Sequence, residues 1–347
     1  MQEHERSDPR AMGQCSGLTS ARCSDDGSSR ASASLAKWIA ALVVFVALAS
    51  VCFAGRRAQE NRFSQAPFAP LPVGRRGNVE KVALGRDLFS DRRLSRSHKL
   101  SCASCHDLGT NGASRAMIDR GDSGQRADWN TPTVFNSVYN FRLGWEGKTR
   151  SAQMFTLQTL MSAHLMRGAG LATRRLSADG KMLSRFRNIY GTPPSDAAVA
   201  DALTAFMATL VTTDAPFDRW LRGDKTALSP QQVRGFTRFK VLGCASCHQG
   251  VNVGGNIFQR RGVFHPLGKR DPAYLRVPSL RNVAETAPYF HDGSVATLPK
   301  AIREMARAQL DLTISERDAT DITAFLAALT GTYDGRRVRA AAFDPVR

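Results

Sequence analysis

The sequence predicts a mainly α-helical protein with long loops and an internal repeat. Apolar residues recur at the helical spacing of three and four in six segments, and no segment shows the clear alternation of a strand. The pentad CASCH occurs twice, at 102–106 and 244–248, after a helical segment in each case. This repeat predicts two similar domains. Long loops in a compact domain need a group to pack against, and a large apolar group in each domain would supply it. The six segments are Glu80 to Phe89, Met154 to Met166, Asp196 to Thr212, Pro230 to Val241, Leu298 to Gln309 and Glu316 to Leu329.

The composition excludes several classes of protein. The chain has 347 residues, of which 42% are hydrophobic and 22% charged, so it is neither simply disordered nor a polytopic membrane protein. A net charge of +18 favours acidic partners or anionic surfaces. The sequence has no basic helix or zinc motif that would support nucleic-acid binding. Because the 7 cysteines are odd in number, complete pairing in intramolecular disulfides is impossible.

The N-terminal part contains one apolar run, Trp38 to Ala54, of 17 residues without a charge. This length is at the lower limit for spanning a hydrocarbon core of about 30 Å, and Ala47-Leu48-Ala49 offers a cleavage site. We therefore expect residues 35–55 to be a signal peptide or a membrane anchor. Residues 1–34 form a polar segment before it, and residues 56–78, rich in Pro, Arg and Gly, form a linker after it.

The CASCH pentads predict two covalently bound c-type haems. Two cysteines at this spacing reach the two vinyl groups of a haem, and the adjacent histidine presents its imidazole to the iron. The alternatives are a disulfide redox pair, a zinc ribbon or coincidence. Zinc needs four ligands close in space, and a redox pair does not require a histidine in both copies. The predicted anchors are Cys102, Cys105, Cys244 and Cys247, and the predicted proximal ligands are His106 and His248.

Beyond these pentads, the sequence resembles the bacterial dihaem cytochrome c peroxidase family, which also contains the methylamine-utilisation dihaem oxidases. The resemblance covers most of residues 79 to 333 and rests on GRDLFSDRRLSRSHKLSCASCHDL, NTPTVFNSVYNFRLGWEG and VPSLRNVAETAPYFHDGSVATLPKAIREMARAQL. It implies a peroxidatic haem domain at 79–222, an electron-transfer haem domain at 223–335 and a tail at 336–347. Each domain would wrap around one haem.

The same resemblance implies roles for residues around the second haem. Met305 would be the sixth ligand opposite His248, where the oxidase branch has a tyrosine, and Trp145 would conduct electrons between the haems. The plainer alternatives are a helix core residue for Met305 and packing for Trp145. Arg281 is either a partner of a haem propionate or a surface residue. An interdomain calcium ion would be bound by Asn130, Thr286 and Pro288, with water completing its shell of 6 to 8 oxygens.

The first haem is where the sequence departs from the family. The family's distal histidine falls at Asp122, a poor haem ligand, so this haem should be five-coordinate or water-bound and open to small ligands. The family's catalytic glutamate, before Met166, is replaced by Leu165, which cannot move a proton. His164 could act as the base if a one-residue slip turned it inward. A family glutamine falls near Phe155, and Gln153 or Gln158 could replace it.

These features favour a periplasmic dihaem peroxidase that reduces hydrogen peroxide with electrons from a small cytochrome or cupredoxin. Haem is attached to CxxCH outside the cytoplasmic membrane, so the domains should be periplasmic, released by cleavage or held by an uncut anchor. Family members are often dimeric. The alternatives are an electron-transfer or ligand-sensing dihaem protein that has lost the proton machinery, and an oxidase of a protein partner.

Overall fold

The computed structural model describes residue 44 and residues 67–72, 77–268 and 272–340. By its internal contacts the chain divides into two compact units, residues 1–64 and residues 65–347, and all of the described residues except Val44 lie in the second. The apolar run at 38–54 falls outside the described residues apart from Val44. None of the helices formed by the described residues is long and apolar enough to cross a membrane.

Within the described residues, nine helices provide most of the regular structure, which confirms the mainly helical class. They are α1 (Val79–Phe89), α2 (Ala152–Met161), α3 (Leu171–Ala178), α4 (Gly180–Tyr190), α5 (Asp196–Met207), α6 (Pro216–Leu221), α7 (Pro230–Val241), α8 (Leu298–Leu310) and α9 (Glu316–Ala327). Two small antiparallel sheets pair β1 (Phe258–Arg260) with β2 (Tyr274–Arg276) and β3 (Thr332–Tyr333) with β4 (Arg336–Arg337). These strands have two or three residues, too few to show alternation.

The first hydrophobic core forms where α1 crosses α5. Leu84 and Leu88 of α1 are fully buried, as is Leu203 of α5. The two helices meet at Gly85, where an added Cβ would lie 1.9 Å from the carbonyl oxygen of Ala202. The backbones can approach this closely because glycine has no side chain. This crossing fixes α1, the helix that precedes the first CASCH.

The second core repeats this arrangement with α7 and α9. A Cβ on Gly235 would lie 1.8 Å from the carbonyl oxygen of Asp321. Arg234 pairs with Asp321 at 3.2 Å, and Arg238 pairs with Asp318 at 2.6 Å, so α7 is also held to α9 by charge. The repeat seen in the sequence as CASCH is therefore also a repeat of a helix crossing at a glycine.

An N-terminal strap, residues 67–72, packs into the second core. Phe68 lies edge-on to Phe217 and Phe236 at centroid distances of 5.8 and 5.3 Å. Beside it, the buried Arg281 pairs with the buried Asp218 at 2.9 Å and donates to the carbonyl oxygen of Ala69. The interpretation of Arg281 as a surface residue is therefore wrong, because its side chain is buried and paired with Asp218. Arg281 also lines the cavity that contains His248, so its pairing with a haem propionate stays a prediction.

The helical segments agree with the sequence with one consequential difference. The segment expected to run from Met154 to Met166 ends at Met161, where the backbone N–H of Ser162 closes the helix on Gln158 and Thr159. His164, Leu165 and Met166 therefore lie in the following turns. The periodicity of the sequence does not predict helices α3, α4 and α6.

Replacing either crossing glycine should destabilise the protein. Gly85→Ala and Gly235→Ala each force two helix backbones apart, which should cost about 1–3 kcal/mol or more in the free energy of unfolding. Gly180→Ala in α4 is the matched control, since a Cβ there meets nothing within 4 Å. Denaturant unfolding measures all three. Equal stability of the three variants would contradict the close crossings.

Candidate functional site

Each CASCH pentad lies on the wall of its own cavity. Cys102, Cys105 and His106 line a first cavity of about 470 Å³. The corresponding residues Cys244, Cys247 and His248 line a second cavity of about 420 Å³. Both pentads adopt the same turn: the backbone N–H of the histidine donates to the carbonyl of the first cysteine, at 2.9 Å in the first copy and 3.0 Å in the second. The shared turn brings two sulfur atoms and one imidazole to each cavity.

Both imidazoles are held in their neutral form. Burial lowers the pKa of His106, and it lowers the pKa of His248 to about 4. Nδ1 of His106 donates to the carbonyl oxygen of Gly112 at 3.0 Å, which leaves Nε2 as the available lone pair. A neutral imidazole whose other nitrogen is fixed by a backbone carbonyl is the usual form of a metal-binding histidine.

The cysteines do not have the environment of a redox pair. Burial raises the pKa of Cys102 to about 12 and that of Cys244 to about 11, whereas reactive redox thiols have lowered values. Across residues 67–72, 77–268 and 272–340, no group of three or more His, Cys, Asp or Glu side chains could hold a metal ion. The raised pKa values of Cys102 and Cys244 therefore argue against a redox pair.

One wall is common to both cavities, and Trp145 lies in it. Trp145 lines the first cavity and the second. Its Nε1–H donates to the carbonyl oxygen of Asn130 at 2.8 Å, and its own carbonyl accepts from the backbone N–H of Arg276 at 2.9 Å. Its ring also meets His291 edge-on at 6.3 Å. The tryptophan is thus held in the wall between the two cavities, and its role as a conductor of electrons stays a prediction.

Arg276 is a buried cation in the same wall, and sequence reasoning missed it. Arg276 is 4% exposed, and its Nε donates a hydrogen bond to the carbonyl oxygen of Gly144 at 3.0 Å. Burial lowers its pKa to about 10, so the guanidinium is still charged at neutral pH. No carboxylate of the described residues pairs with it. An uncompensated buried charge is costly, and a propionate of a haem in either cavity would supply the missing anion.

Met305 lies on α8 and lines the second cavity together with His248. The structure thus brings the two predicted ligands of the second haem to one cavity. Asn130, Thr286 and Pro288 also line it. The Asn130 amide N–H groups donate to the carbonyls of Ala116 and Met117 at 3.0 and 3.2 Å, so its oxygen remains for a cation.

Comparison with known proteins gives consistent results. Residues 79–226 match the family model described as "Di-haem cytochrome c peroxidase". The chain is 34% identical over 284 residues to the cytochrome c551 peroxidase of Nitrosomonas europaea, covering 76% of this chain and 84% of that protein. It is 36% identical over 291 residues to the cytochrome c peroxidase Ccp of Escherichia coli, covering 77% of this chain and 62% of that protein.

The chain belongs to the dihaem cytochrome c peroxidase family. It is also 32% identical to the methylamine utilization protein MauG of Methylorubrum extorquens, over 77% of this chain and 83% of that protein. Among solved structures, a MauG-like protein associated with microbial copper homeostasis matches with a TM-score of 0.67 and 26% identity, covering 77% of this chain and 94% of that one. These similarities indicate an oxidoreductase of the cytochrome c peroxidase type.

Relative to this dihaem peroxidase family, the first cavity lacks the expected distal groups. The carboxylate of Asp122 turns away and accepts hydrogen bonds from the backbone and hydroxyl of Ser97. His164 is exposed and is absent from the cavity wall, whereas Leu165 and Met166 line it. Of the imidazoles that the structure describes, His106 is the one that lines the first cavity. The geometry therefore gives no support to His164 as a distal base.

Gln153 and Gln158, the two candidates to replace the family's glutamine, differ in whether they line the first cavity. Gln153 donates to the carbonyl oxygen of Ala197 at 3.1 Å and does not line the first cavity. Gln158 does line it and is exposed. Phe155, at the family's glutamine position, lines it as well. Of the two, Gln158 is the amide that can meet a ligand in this cavity.

Substitution in one pentad should remove one haem and spare the other. Cys244→Ala together with Cys247→Ala removes both sulfur anchors of the second cavity but leaves His106 and its turn unchanged. The covalently bound haem per chain should fall from two to one, as measured by the pyridine haemochrome absorbance of denatured protein. Retention of two haems per chain in this variant would contradict the assignment.

Proposed function

We propose that this protein is a periplasmic dihaem peroxidase that reduces hydrogen peroxide to water at the first haem. Electrons from a small cytochrome or cupredoxin would enter through the second haem. One observation carries the proposal: Trp145 lies in a wall common to the two cavities, with His106 on one side and His248 with Met305 on the other. This arrangement suits electron transfer from one site to the other.

The cofactor set is two haems attached to Cys102, Cys105, Cys244 and Cys247, with His106 and His248 as proximal ligands. Bound haem would supply the redox-active iron in each cavity. The overall reaction takes two electrons and two protons: one hydrogen peroxide becomes two waters. Arg276 would neutralise propionate charge in the shared wall, and Trp145 would shorten the path that electrons follow.

Met305 favours the peroxidase over the oxidase branch of the family. A thioether ligand raises the reduction potential of a haem, which suits a site that accepts electrons from a small redox protein. The oxidase branch has a tyrosine at this position. Oxidation of a protein partner is therefore the less favoured activity, although MauG proteins are among the relatives.

We also propose a calcium ion beside the second haem, bound by Asn130, Thr286 and Pro288. The described backbone hydrogen bonds do not use the carbonyl oxygens of Thr286 and Pro288, and the Asn130 side-chain oxygen accepts none. Oxygen ligands of this kind suit calcium, with water completing the shell. The ion would order the loop between the two cavities.

The proposed location follows from haem chemistry. Attachment of haem to CxxCH takes place outside the cytoplasmic membrane, so the haem domains would work in the periplasm, either released or held by residues 38–54. The net charge of +18 favours an acidic electron donor. A homodimer is part of the same proposal, through family resemblance.

A second candidate function has one specific observation in its favour. Leu165 stands on the cavity wall where the family has its catalytic glutamate, and Asp122 is turned to Ser97. A dihaem protein with an open first site and no proton donor would serve as an electron carrier or a sensor of small ligands. Such a protein would bind ligands at the first haem without turning over peroxide.

The experiment that separates the two candidates uses half-reduced protein, in which the second haem is reduced and the first oxidised. Rapid mixing with hydrogen peroxide should oxidise the second haem and give sustained turnover when a reduced small cytochrome is added. Binding of cyanide at the first haem without any oxidation of the second haem by peroxide would establish the carrier or sensor function.

Restoring a carboxylate to the wall should accelerate hydrogen peroxide turnover. In Leu165→Glu, the new side chain can take the proton from the bound peroxide and return it to the leaving oxygen, a role worth about 10²–10⁴-fold in rate. We expect kcat/KM for hydrogen peroxide to rise at least about tenfold. The matched variant is His164→Ala, one residue away and outside the cavity, which should leave turnover unchanged. A large loss in His164→Ala would identify that residue as the base.

A further inference from the structure

The surface around the start of α3 carries exposed cations that form no ion pair with a described residue. It is formed by four segments: residues 92–99, residues 162–167 after α2, helix α3, and the first turn of α4 at 180–183. These segments contain no Asp or Glu. We call this region the basic surface and define it by its exposed Arg and Lys side chains. They are Arg92, Arg96, Lys99, Arg167, Arg174 and Lys181.

Direct contacts hold the four segments of the basic surface against one another. The guanidinium of Arg175 in α3 donates to the carbonyl oxygen of Arg96 at 2.9 Å. The backbone N–H of Arg96 donates to the carbonyl oxygen of Met166 at 3.0 Å. Helix α4 joins the same region through its N-cap, Asp179, which pairs with Arg93 at 2.9 Å. The six cations therefore belong to adjoining segments of one surface.

The carboxylates that flank the basic surface already have partners. Asp91 and Asp179 both pair with Arg93, at 2.7 and 2.9 Å. Asp122 accepts hydrogen bonds from the backbone N–H and the hydroxyl of Ser97. In the part of the chain that the structure describes, the side chains of the six cations have neither a hydrogen bond nor an ion pair. Positive charge is therefore in excess on this surface.

The basic surface differs from a site for a small anion or for a nucleic acid. None of its six cations lines either of the two cavities described above. Its four segments also carry no exposed Phe, Tyr or Trp. Proteins that bind single-stranded nucleic acid combine basic residues with aromatic side chains on which bases stack. A broad anionic surface is the partner that fits charge without a cavity or stacking groups.

One exposed apolar side chain lies at the edge of the basic surface. Met161 ends α2 and is 62% exposed. The next residue, Ser162, accepts a hydrogen bond at its carbonyl oxygen from the backbone N–H of Arg167 at 3.0 Å, so the chain folds back beside Met161. Exposed cations next to an exposed apolar side chain are typical of proteins that rest on an anionic bilayer. The cations meet the headgroups, and the apolar side chain enters the boundary with the acyl chains.

The sequence gives an independent reason to consider a bilayer. We expect the apolar run at 38–54 to be a signal peptide or an anchor, and either role brings the chain to a membrane. Clusters of Lys and Arg that follow such a run are typical of segments that bind anionic lipid. The linker at 56–78 supplies such a cluster, and it consists of Arg56, Arg57, Arg62, Arg75 and Arg76.

We propose that the basic surface binds the anionic phospholipid headgroups of a bilayer, with Met161 at the boundary with the acyl chains. Each cation close to such a bilayer is attracted to it, and the attraction falls off within a Debye length of about 8 Å at physiological salt. Binding therefore requires several cations on one surface, which the adjoining segments provide. The proposal needs neither haem nor peroxide turnover, so it goes beyond the proposed function.

The test measures binding of the full-length holoprotein to lipid vesicles by co-sedimentation. One set of vesicles contains equal parts of phosphatidylglycerol and phosphatidylcholine, and the other contains phosphatidylcholine alone. The wild type should bind the anionic vesicles at least about tenfold more tightly. The variant Arg92→Glu, Arg96→Glu, Arg174→Glu should lose at least about tenfold in affinity for the anionic vesicles, because three attractions become repulsions.

A matched variant separates the basic surface from net charge. Arg307→Glu, Arg317→Glu, Arg336→Glu changes the charge by the same amount at exposed positions in α8, α9 and β4. Its affinity for the anionic vesicles should stay within about twofold of the wild type, since the attraction is short-ranged. The apolar run and the linker arginines are common to all three proteins, so they do not affect the comparison. If the first variant does not retain two haems, the corresponding glutamine variant decides.

Several results would overturn the proposal. Equal losses in the two variants would show that net charge alone acts, and no loss in the first variant would assign the binding to the linker. Equal binding of the wild type to the two kinds of vesicle would exclude recognition of anionic headgroups. Displacement from vesicles by free glycerol phosphate would indicate a small-anion site. Unchanged vesicle binding by the first variant, with loss of binding to a small acidic cytochrome, would assign the basic surface to a protein partner.

Discussion

Both halves of the molecule depend on one constraint, which is that each must enclose a large apolar cavity with a neutral imidazole on its wall. The cavities measure about 470 and about 420 Å³. Their walls are mainly apolar, and apolar surface gains free energy when an apolar group covers it and removes it from water. A large apolar group in each cavity would therefore complete both cores. The CASCH turns, the helix crossings and the long loops all serve to hold that occupant.

The sequence pattern predicts the features that depend on neighbouring residues, namely the main helices and the CASCH turns. Periodicity placed α1, α5, α7, α8 and α9, and the spacing within CASCH identified the two cavity walls. What it could not predict depends on residues distant in sequence. The glycines at the two helix crossings look unremarkable until Ala202 and Asp321 are placed against them. Arg276 lies in a three-residue strand with no alternation, and its isolation in a shared wall is a property of packing.

At the first site, the position of one helix end decides which side chains reach the cavity. From the sequence, His164 can act as a base only if a one-residue slip turns it inward. The helix ends at Met161, and the turns that follow place Leu165 on the cavity wall and His164 in solvent. A difference of one turn in a helix boundary thus decides which side chain meets the ligand. The position of Trp145 in the wall common to both cavities does not depend on that boundary.

The central claim is that the two haem sites are chemically different, with an open first haem and a second haem bound on both faces. Electron paramagnetic resonance of the fully oxidised protein tests this most directly, because it reports the coordination of each ferric haem without requiring turnover. The account predicts one high-spin signal from the first haem and one low-spin signal from the His248 and Met305 haem. Two low-spin signals of equal intensity would show that the first haem is also bound on both faces, and this result would contradict the account.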